Sequence, residues 1–561
     1  MILKPILHPV VCRFAIPGYT ALMKLIAPKR WHKSVDGNLR CKQHLRTMIG
    51  RITRFWNIPP LNALGVLTLI ALIPRLVAAV LSQGYFAHDD HFLIIDAAGS
   101  WVNGFDYNDW LPWNQGADPT PSGHSFFYVG LHYLLFSGLK AIGITDPKTL
   151  MIVVRLLHAL WSLIVVRAGY RIALRLGDAV IAWRTGLFLA LFCFMPFLAV
   201  RNLVEVACIP FLMLGAWRLI RSTDGPTWKD ALIAGVWIGL AMNVRFQTIF
   251  FAVGPGLALL FQRRWMQAFS YGAGVLIPLG VIQGGIDFFL WGRPFAELTQ
   301  YVMYNLANTT TYGVLPWYNY LLLLAGIFIP PLSLAVLFGF FRRTSPLLLW
   351  LPVFLFLAIH SYFPNKQERF LLPIVPLFFV LGFVAWEQWR NASQWWSARI
   401  GLWRGGLVFA WSINLLLLPV LSTTYSKRSR VEALYSLRAQ GPITGLILDD
   451  TEEDSPPLPP LFYLGQWGLE VIPWGTAHAN DHLGAYLDSL HIVRRPDIVL
   501  FMGDDHLDER MERMRTDYGD VTEIGRAEPG LIDRTVHWLN PVNRNETIVI
   551  ARVRPRPPAA H

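Results

Sequence analysis

Long apolar segments recur along most of this chain and constrain its fold more than any other feature. A helix rises about 1.5 Å per residue, so about 20 apolar residues cross about 30 Å of hydrocarbon. Of the 561 residues, 54% are hydrophobic and 15% are charged, which excludes a disordered chain and argues against a purely soluble one. We predict eleven membrane-spanning helices, at residues 59–82, 149–170, 182–200, 203–221, 230–246, 247–262, 267–288, 317–341, 345–362, 369–387 and 402–424.

One further apolar segment, residues 124–144, decides the predicted topology. If it spans the membrane, Arg171 and Arg184 fall on the outer side, and so do Arg342 and Arg343. If it lies as a helix on the outer surface, the basic residues of the later loops all fall inside, as the positive-inside rule requires. We therefore predict a surface helix, with the amino terminus inside and the carboxyl terminus outside.

The chain divides into three predicted parts. Residues 1–56 form a basic cytoplasmic segment without a signal-peptide cleavage site. Residues 57–424 hold the spans and a long first outer loop at 83–148. Residues 425–561 alternate short apolar strands with polar helices, which predicts an extracytoplasmic α/β domain on a polytopic α-helical membrane protein. The net charge of +12 lies between apolar segments rather than on one face, so we do not predict nucleic-acid binding.

Most of the unusual charged residues gather at the outer ends of the predicted spans. Ionisable groups at membrane depth are costly and usually face one another or a cavity. Acids and bases at one level therefore predict a polar pocket suited to an anionic lipid substrate and a chemical step. Its candidate members are Asp89, Asp90, Asp109, Arg201, Glu205, Arg245, Asp287, Lys366, Glu368 and Arg369.

Several of these residues also have a purely structural interpretation. Asp109 is explained equally well as a solvated carboxylate, and Arg201 and Glu205, four residues apart, can form a structural ion pair. His88 and His91 flank the acids, but two histidines without a third ligand are weak grounds for a metal. The four cysteines form no CxxC motif. We therefore predict no cofactor, with a divalent metal as the alternative.

A series of motifs over residues 75–380 resembles, in order, those of the GT-C α-mannosyltransferases. These enzymes use dolichyl-phosphate-mannose to build asparagine-linked glycan precursors and GPI anchors. The segment from residue 287 to 320 follows the family's D-x-x-Y-G … F-N … Y-G … P-W-x-x-Y run. The other motifs are AHDDHF for HPDEHF, YNDW for TWEW, HSFFYV for RSxxYP, AVRNLVE for RTxSxxE, VRFQT for RPTA and NKQERFLLPIVP for HKEERFxxPxxP. The large C-terminal domain is more similar to bacterial GT-C enzymes.

The resemblance implies a GT-C fold and inverting transfer of a hexose, mannose above all, from a polyprenyl-phosphate donor. The acceptor would be a lipid-linked glycan or another extracytoplasmic group. The membrane would be the bacterial inner membrane with a periplasmic site, or alternatively that of the endoplasmic reticulum. The matched positions suggest Asp89 and Asp90 for catalysis, Lys366, Arg369, Arg245 and Arg201 for the donor phosphate, and Asp109, Glu205, Asn305 and His91 for substrate positioning.

Elementary chemistry leads to the same division of roles. A lipid phosphate is already a good leaving group, so positive charge at its oxygens helps more than a general acid. The acceptor hydroxyl has a high pKa and needs a carboxylate base, for which Asp89 is the first candidate and Asp90 the second. Among other classes of protein, a transporter predicts charges at the middle of the spans. A third possibility is a non-catalytic scaffold whose outer domain carries the function. It predicts that truncation after about residue 424 removes function.

Overall fold

The computed structural model describes residues 55–311, 313–452, 454–478, 481–489 and 494–555. The predicted basic segment 1–56 lies almost wholly outside the described residues. The chain from Leu64 onwards forms one compact unit, which contains both the apolar helices and the C-terminal sheet.

Helices form nearly all of the apolar part of the chain. In order, they are α1 (Ala63–Leu81), α2 (His88–His91), α3 (Ala97–Val102), α4 (Phe126–Ala141), α5 (Pro147–Leu176), α6 (Ala179–Leu191), α7 (Phe194–Ala199), α8 (Val204–Ala207), α9 (Ile209–Ile220), α10 (Trp228–Val244), α11 (Ile249–Phe261), α12 (Trp265–Pro278), α13 (Gly285–Trp291), α14 (Ala296–Ala307), α15 (Asn319–Ile327), α16 (Leu332–Phe341), α17 (Leu347–Tyr362), α18 (Val375–Ala392), α19 (Gln394–Ala398), α20 (Ile400–Ser422) and α21 (Arg428–Arg438). Tighter or wider turns fill Phe92–Asp96, Phe246–Thr248, Leu279–Gly284 and Glu368–Ile374.

Every predicted span coincides with helical structure, although several are broken. Five helical stretches are long and apolar enough to cross a membrane: Ala63–Leu81, Pro147–Leu176, Trp265–Trp291, Glu368–Ala392 and Ile400–Ser422. Four shorter apolar helices also lie within predicted spans. The polytopic helical fold class is confirmed, and the number of eleven crossings stays a prediction. Helix α4 has 16 residues, fewer than a crossing needs, and coincides with the predicted surface helix at 124–144.

Glycines allow neighbouring helices to approach until their backbones touch. A Cβ atom on Gly235 of α10 would lie 2.2 Å from the Tyr271 carbonyl oxygen of α12. A Cβ atom on Gly274 would lie 2.2 Å from the Leu232 carbonyl oxygen. Such close contacts suit helix pairing in lipid, where burial of apolar surface drives association less than tight packing does.

The C-terminal part is an α/β domain, as predicted. Its elements are β1 (Gly445–Asp449), α22 (Leu461–Leu464), β2 (Glu470–Trp474), α23 (Leu483–Ser489), β3 (Ile498–Met502), α24 (Leu507–Asp517), β4 (Gly519–Ala527), α25 (Leu531–Leu539) and β5 (Ile548–Pro555). The sheet has the order β2-β1-β3-β5-β4. Strands β1, β2 and β3 are parallel, and β5 runs antiparallel to β3 and β4. Fully buried strands β1 and β3 read as continuous apolar runs because both faces are covered.

The C-terminal domain packs against the first outer loop. The carboxylate of Asp96 is buried and accepts the Phe462 backbone N–H at 2.8 Å. The His91 ring is stacked between Tyr85 and Tyr463, with centroid distances of 4.8 and 5.3 Å. The domain therefore supports the segment that carries Asp89 and Asp90.

Candidate active site

Four separate segments bring their charged side chains to one place. Asp89 lies on α2, Glu205 on α8, Arg245 just after α10, and Arg369 near the start of Glu368–Ile374. Arg369 Nη1 lies 2.9 Å from Asp89 Oδ2, and its Nε lies 3.8 Å from Glu205 Oε1. Arg245 Nη2 lies 3.1 Å from the same Glu205 oxygen. The structure thus joins two acids and two guanidinium groups in a line, with Asp89 at its more open end.

The local fold of α2 separates the two neighbouring aspartates. Asp90 is 2% exposed, and its two oxygens accept the backbone N–H groups of Phe86 and Ala87 at 2.9 Å each. A carboxylate in this position satisfies donors at the start of the helix. The side chain of Asp89 is 30% exposed and faces Arg369. Asp90 therefore shapes the loop, while Asp89 is the carboxylate that a substrate can reach.

Two glutamines and a phenylalanine orient the guanidinium groups. Arg245 Nη2 donates to Gln247 Oε1 at 2.9 Å, and Arg369 Nε donates to Gln367 Oε1 at 2.8 Å. The Phe370 ring lies 5.1 Å from the Arg245 guanidinium and 5.6 Å from that of Arg369. Planar groups held in this way present a fixed fork of N–H donors, which suits phosphate recognition.

Several buried polar atoms of this cluster lack a hydrogen-bond partner among the described residues. They are both carboxylate oxygens of Glu205, the Nε of Arg245 and the Nη1 of Arg369. The ion pairs therefore have short distances without the alignment of good hydrogen bonds. An unsatisfied buried polar atom costs about 1–3 kcal/mol, so such atoms concentrate where a ligand or water completes the site.

The pKa of Asp89 lies below its usual value. Burial raises it, but the attraction of Arg369, aided by Arg245 and His88, outweighs burial. The neighbouring Asp90 shows the opposite balance, since burial raises its pKa to about 6 despite the two backbone N–H donors. Asp89 is therefore ionised at neutral pH, as a base must be before it accepts a proton.

Lys366 lies beside the cluster without joining it. Its Nζ donates to the backbone carbonyl of Phe363, and the segment around it pairs with the loop at 313–315. Burial lowers the pKa of Lys366. Lys366 therefore lies in the same turn as Arg369, and its ammonium group forms no ion pair with a described acid.

Arg201 does not form the ion pair with Glu205 that their spacing allows, and that prediction is wrong. Helix α7 ends at Ala199 and α8 begins at Val204, so the two residues do not share one helical face. The Arg201 guanidinium instead donates to the carbonyls of Gln83 and Gly84 at 3.0 and 2.9 Å. It also donates to the Ser82 and Ser426 hydroxyls. Arg201 thereby ties the first outer loop to the start of the C-terminal domain.

The other predicted positioning residues lie outside this line of charges. Asp109 is exposed, with a left-handed backbone at φ 50°. Asn305 is half-buried and donates to the Tyr301 carbonyl of its own helix at 2.8 Å. His91 is 1% exposed within its aromatic stack, and burial lowers its pKa to about 3. Its position favours support of the loop over contact with a substrate.

The structure also identifies residues that sequence reasoning missed. Gln247 and Gln367 hold the two guanidinium groups, as described above. Tyr301 of α14 packs its ring on Phe246 at 5.3 Å, and burial raises the pKa of its hydroxyl while Arg245 lowers it. Glu297 accepts the backbone N–H of Gly123 at 2.6 Å and so fixes the loop before α4. Both α14 residues lie inside the motif run 287–320, but no periodicity distinguishes them there.

An apolar cavity adjoins the cluster. It has a volume of about 40 Å³ and lies between α5, α7, α9 and the start of α18. Arg201 and Val206 line the end nearest to Glu205, and its walls include Trp161, Phe194 and Leu372. Among the residues that the structure describes, no group of three or more His, Cys, Asp or Glu side chains is arranged to hold a metal ion.

Comparison with known proteins gives the chain a family. Residues 66–442, more than half of the chain, match the Alg9-like mannosyltransferase family. The chain is 25% identical over 340 residues to the mannosyltransferase APTG1 of Arabidopsis thaliana, covering 57% of this chain and 58% of that protein. It is 23% identical over 383 residues to the GPI alpha-1,2-mannosyltransferase 3 of Danio rerio, covering 65% and 68%. The match to the Arabidopsis relative thus spans less than two thirds of its length.

A solved structure shares the fold. The structure of ArnT from Cupriavidus metallidurans bound to undecaprenyl phosphate superposes with a TM-score of 0.56 at 13% identity, covering 87% of this chain and 97% of that one. The GT-C fold and the family resemblance inferred from the motifs are confirmed: the chain belongs to the Alg9-like mannosyltransferase family.

Proposed function

We propose that this membrane protein transfers a hexose, mannose by its family, from a polyprenyl-phosphate donor to a lipid-linked glycan or another extracytoplasmic acceptor. The observation that carries this proposal is the line Asp89–Arg369–Glu205–Arg245, with a 2.9 Å contact between Asp89 and Arg369. A base and a pair of phosphate-binding groups next to each other are what transfer from a lipid phosphate requires.

In the proposed reaction, the bond between the anomeric carbon and the phosphate oxygen breaks. The acceptor hydroxyl oxygen forms a new bond on the opposite face of that carbon, which inverts its configuration. Asp89 takes the hydroxyl proton, and the lipid phosphate leaves with the bonding electrons. Arg369 and Arg245 stabilise the charge that develops on the phosphate, with Lys366 as a third cation in the same turn.

The ion pair between Asp89 and Arg369 belongs to the donor-free protein. The phosphodiester monoanion of an incoming donor competes with Asp89 for Arg369, because guanidinium groups bind phosphate in a bidentate manner. Once Arg369 turns towards the phosphate, Asp89 loses the attraction that lowers its pKa and becomes a stronger base. Glu205 keeps both arginines near the donor during this exchange, since it contacts each of them.

The likeness to a solved structure supports a lipid-linked donor. ArnT, which shares the fold, was solved with undecaprenyl phosphate bound. We propose the bacterial inner membrane with a periplasmic active site as the location of this protein, with the endoplasmic reticulum membrane as the alternative. The family match does not support a transporter, and Arg369 of the charged cluster lies at the start of its apolar segment Glu368–Ala392 rather than near the middle.

The test is incubation of purified protein with a panel of polyprenyl-phosphate sugars and candidate acceptors, followed by mass spectrometry. We expect a mass increase of one hexose on the acceptor and release of polyprenyl phosphate. The Asp89→Asn variant serves as the control for contaminating enzymes. Transfer from a nucleotide sugar, with no use of any lipid-phosphate sugar, would refute the proposal.

A further inference from the structure

Helix α25 of the C-terminal domain exposes an apolar face. Leu531 is 80% exposed, Trp538 79% and Leu539 69%, and Val542 in the following turn is 79% exposed. At 100° per residue, Leu531, Trp538 and Leu539 lie on one side of the helix, and the buried Asp533 lies on the other. A cluster of large apolar side chains on a folded domain marks a surface that contacts something else.

Both ends of this segment are fastened to the chain just after the last apolar helix. The carboxylate of Asp533 accepts the backbone N–H groups of Lys427 and Arg428 at 3.2 and 2.9 Å. The Lys427 Nζ donates to the Asn543 carbonyl at 3.0 Å. Helix α20 ends at Ser422, and five residues extend at most about 18 Å, so Lys427 lies within that distance of the helix end.

We propose that α25 and the turn after it lie in the outer interface of the bilayer, with Leu531, Trp538, Leu539 and Val542 facing the acyl chains. Two observations favour lipid over a protein partner. Helix α20 exposes apolar side chains, including Leu416 and Val420, close to its end at Ser422, and the segment that binds α25 follows directly after that end. An amphipathic helix with leucine and tryptophan on one face is typical of interfacial segments.

Basic residues border the proposed contact on the side of the chain that follows α20. Lys427, Arg428 and Arg430 lie in the segment that fastens α25, and Arg534 lies at the edge of its exposed face. Cations at this level attract anionic lipid headgroups. The proposed partner is therefore a bilayer that contains anionic phospholipid.

This contact would hold the segment next to the candidate active site. Ser426 donates its backbone N–H to the Gln83 carbonyl at 3.1 Å and pairs with Gly84. Gly84 has φ +73°, and a Cβ atom there would lie 1.8 Å from the Ser426 carbonyl oxygen, so only glycine fits. Gly84 comes two residues before Phe86, whose N–H binds Asp90. The proposed membrane contact is thus connected, through the pairing of Ser426 with Gly84, to the loop that carries Asp89. Only the importance of that loop for transfer rests on the proposed function.

The experiment measures the depth of a spin label in the full-length protein, reconstituted in vesicles of neutral and anionic phospholipid. The label is attached through Leu539→Cys, with Glu512→Cys on the exposed face of α24 as the matched control. The background carries Cys12→Ser and Cys41→Ser, while Cys193 and Cys208 are buried and stay. Collisions with oxygen report the bilayer, and collisions with a water-soluble nickel complex report solvent.

We expect the label at 539 to collide more with oxygen and less with nickel than the label at 512. Addition of Leu531→Gln and Trp538→Gln to the labelled protein should reverse that preference, because the apolar face is lost. Equal accessibility at 539 and 512 would overturn the proposal. Dipolar broadening between labels, which disappears on dilution with unlabelled protein, would assign the face to a second copy of the chain instead. None of these outcomes depends on transfer activity, so a failure of the proposed function stays distinguishable.

Discussion

The two ends of the helical segment 368–392 carry buried ion clusters of opposite character. At one end, the fully buried Glu387 accepts three hydrogen bonds: from the guanidinium groups of Arg184 at 2.5 Å and Arg390 at 3.1 Å, and from the Trp403 indole N–H at 2.9 Å. At the other end, about 30 Å away by helix rise, Arg369 contacts Asp89 and Glu205. Both oxygens of Glu387 are hydrogen-bonded, whereas neither oxygen of Glu205 is.

The contrast distinguishes a cluster that holds helices together from one that binds a ligand. A buried carboxylate is tolerated when both of its oxygens accept hydrogen bonds from cationic or polar partners, as those of Glu387 do. The cluster around Glu205 keeps unpaired donors and acceptors beside an apolar cavity and an exposed carboxylate. Such an arrangement is stable enough to fold and gains further hydrogen bonds when an anion arrives.

The largest expected effect is that of Asp89→Asn. The amide has nearly the same shape but cannot take the proton from the acceptor hydroxyl, so we expect the rate of transfer to fall by about 10²–10⁴-fold. Turnover of a polyprenyl-phosphate sugar by the purified variant measures this loss. Asp90→Asn serves as the comparison, because Asp90 binds the backbone N–H groups of its own loop, so its loss of charge acts on the loop rather than on the acceptor. Wild-type turnover by Asp89→Asn would remove the carboxylate from the mechanism.

Arg369→Gln tests the phosphate-binding role. Loss of one transition-state donor predicts a fall in turnover of about 10²–10³-fold. The variant also removes the main attraction that lowers the pKa of Asp89, while burial still raises it. The acid limb of the pH–rate profile should therefore move to higher pH than in the wild type. An acid limb that stays in place would show that Asp89 is not the group that titrates.

Glu205→Gln tests whether the shared carboxylate positions both arginines. The change keeps the shape of the side chain and removes the charge that Arg245 and Arg369 contact, so small displacements of both groups are expected. Misplacement of this kind costs up to about 10²-fold. A double-mutant cycle of Glu205→Gln with Arg245→Gln should give non-additive losses in turnover. Strict additivity would argue that the two residues act independently.

Glu387→Gln should have the smallest effect on transfer and the largest on stability. It leaves Arg184 and Arg390 without their anionic partner, and breaking a buried pair costs about 3–5 kcal/mol. We expect a lower unfolding temperature in detergent, measured by thermal shift, with unchanged turnover per folded molecule. A fall in turnover without a loss of stability would contradict the distinction between the two clusters.

Much of the site could be predicted from the sequence because its residues belong to short motifs that end apolar segments. Asp89, Glu205, Arg245 and Arg369 all lie in such motifs, and the structure brings all four together. Which side chains contact each other was less predictable. The spacing of Arg201 and Glu205 suggested a pair, but the chain breaks between α7 and α8 and turns the two side chains apart. Gln247, Tyr301 and Gln367 carry no charge pattern that marks them.

The sequence by itself determined where the chain is apolar, and so its membrane class, its C-terminal α/β domain and the segments that carry charge. These properties are local, since about 20 consecutive residues decide whether a helix can cross a bilayer. Only the tertiary structure decided which acid meets which arginine, that Asp90 caps a helix while Asp89 is more accessible, and that Asp533 of α25 binds the chain just after the last apolar helix. Those contacts join residues up to several hundred positions apart, and no local pattern encodes a distance between them.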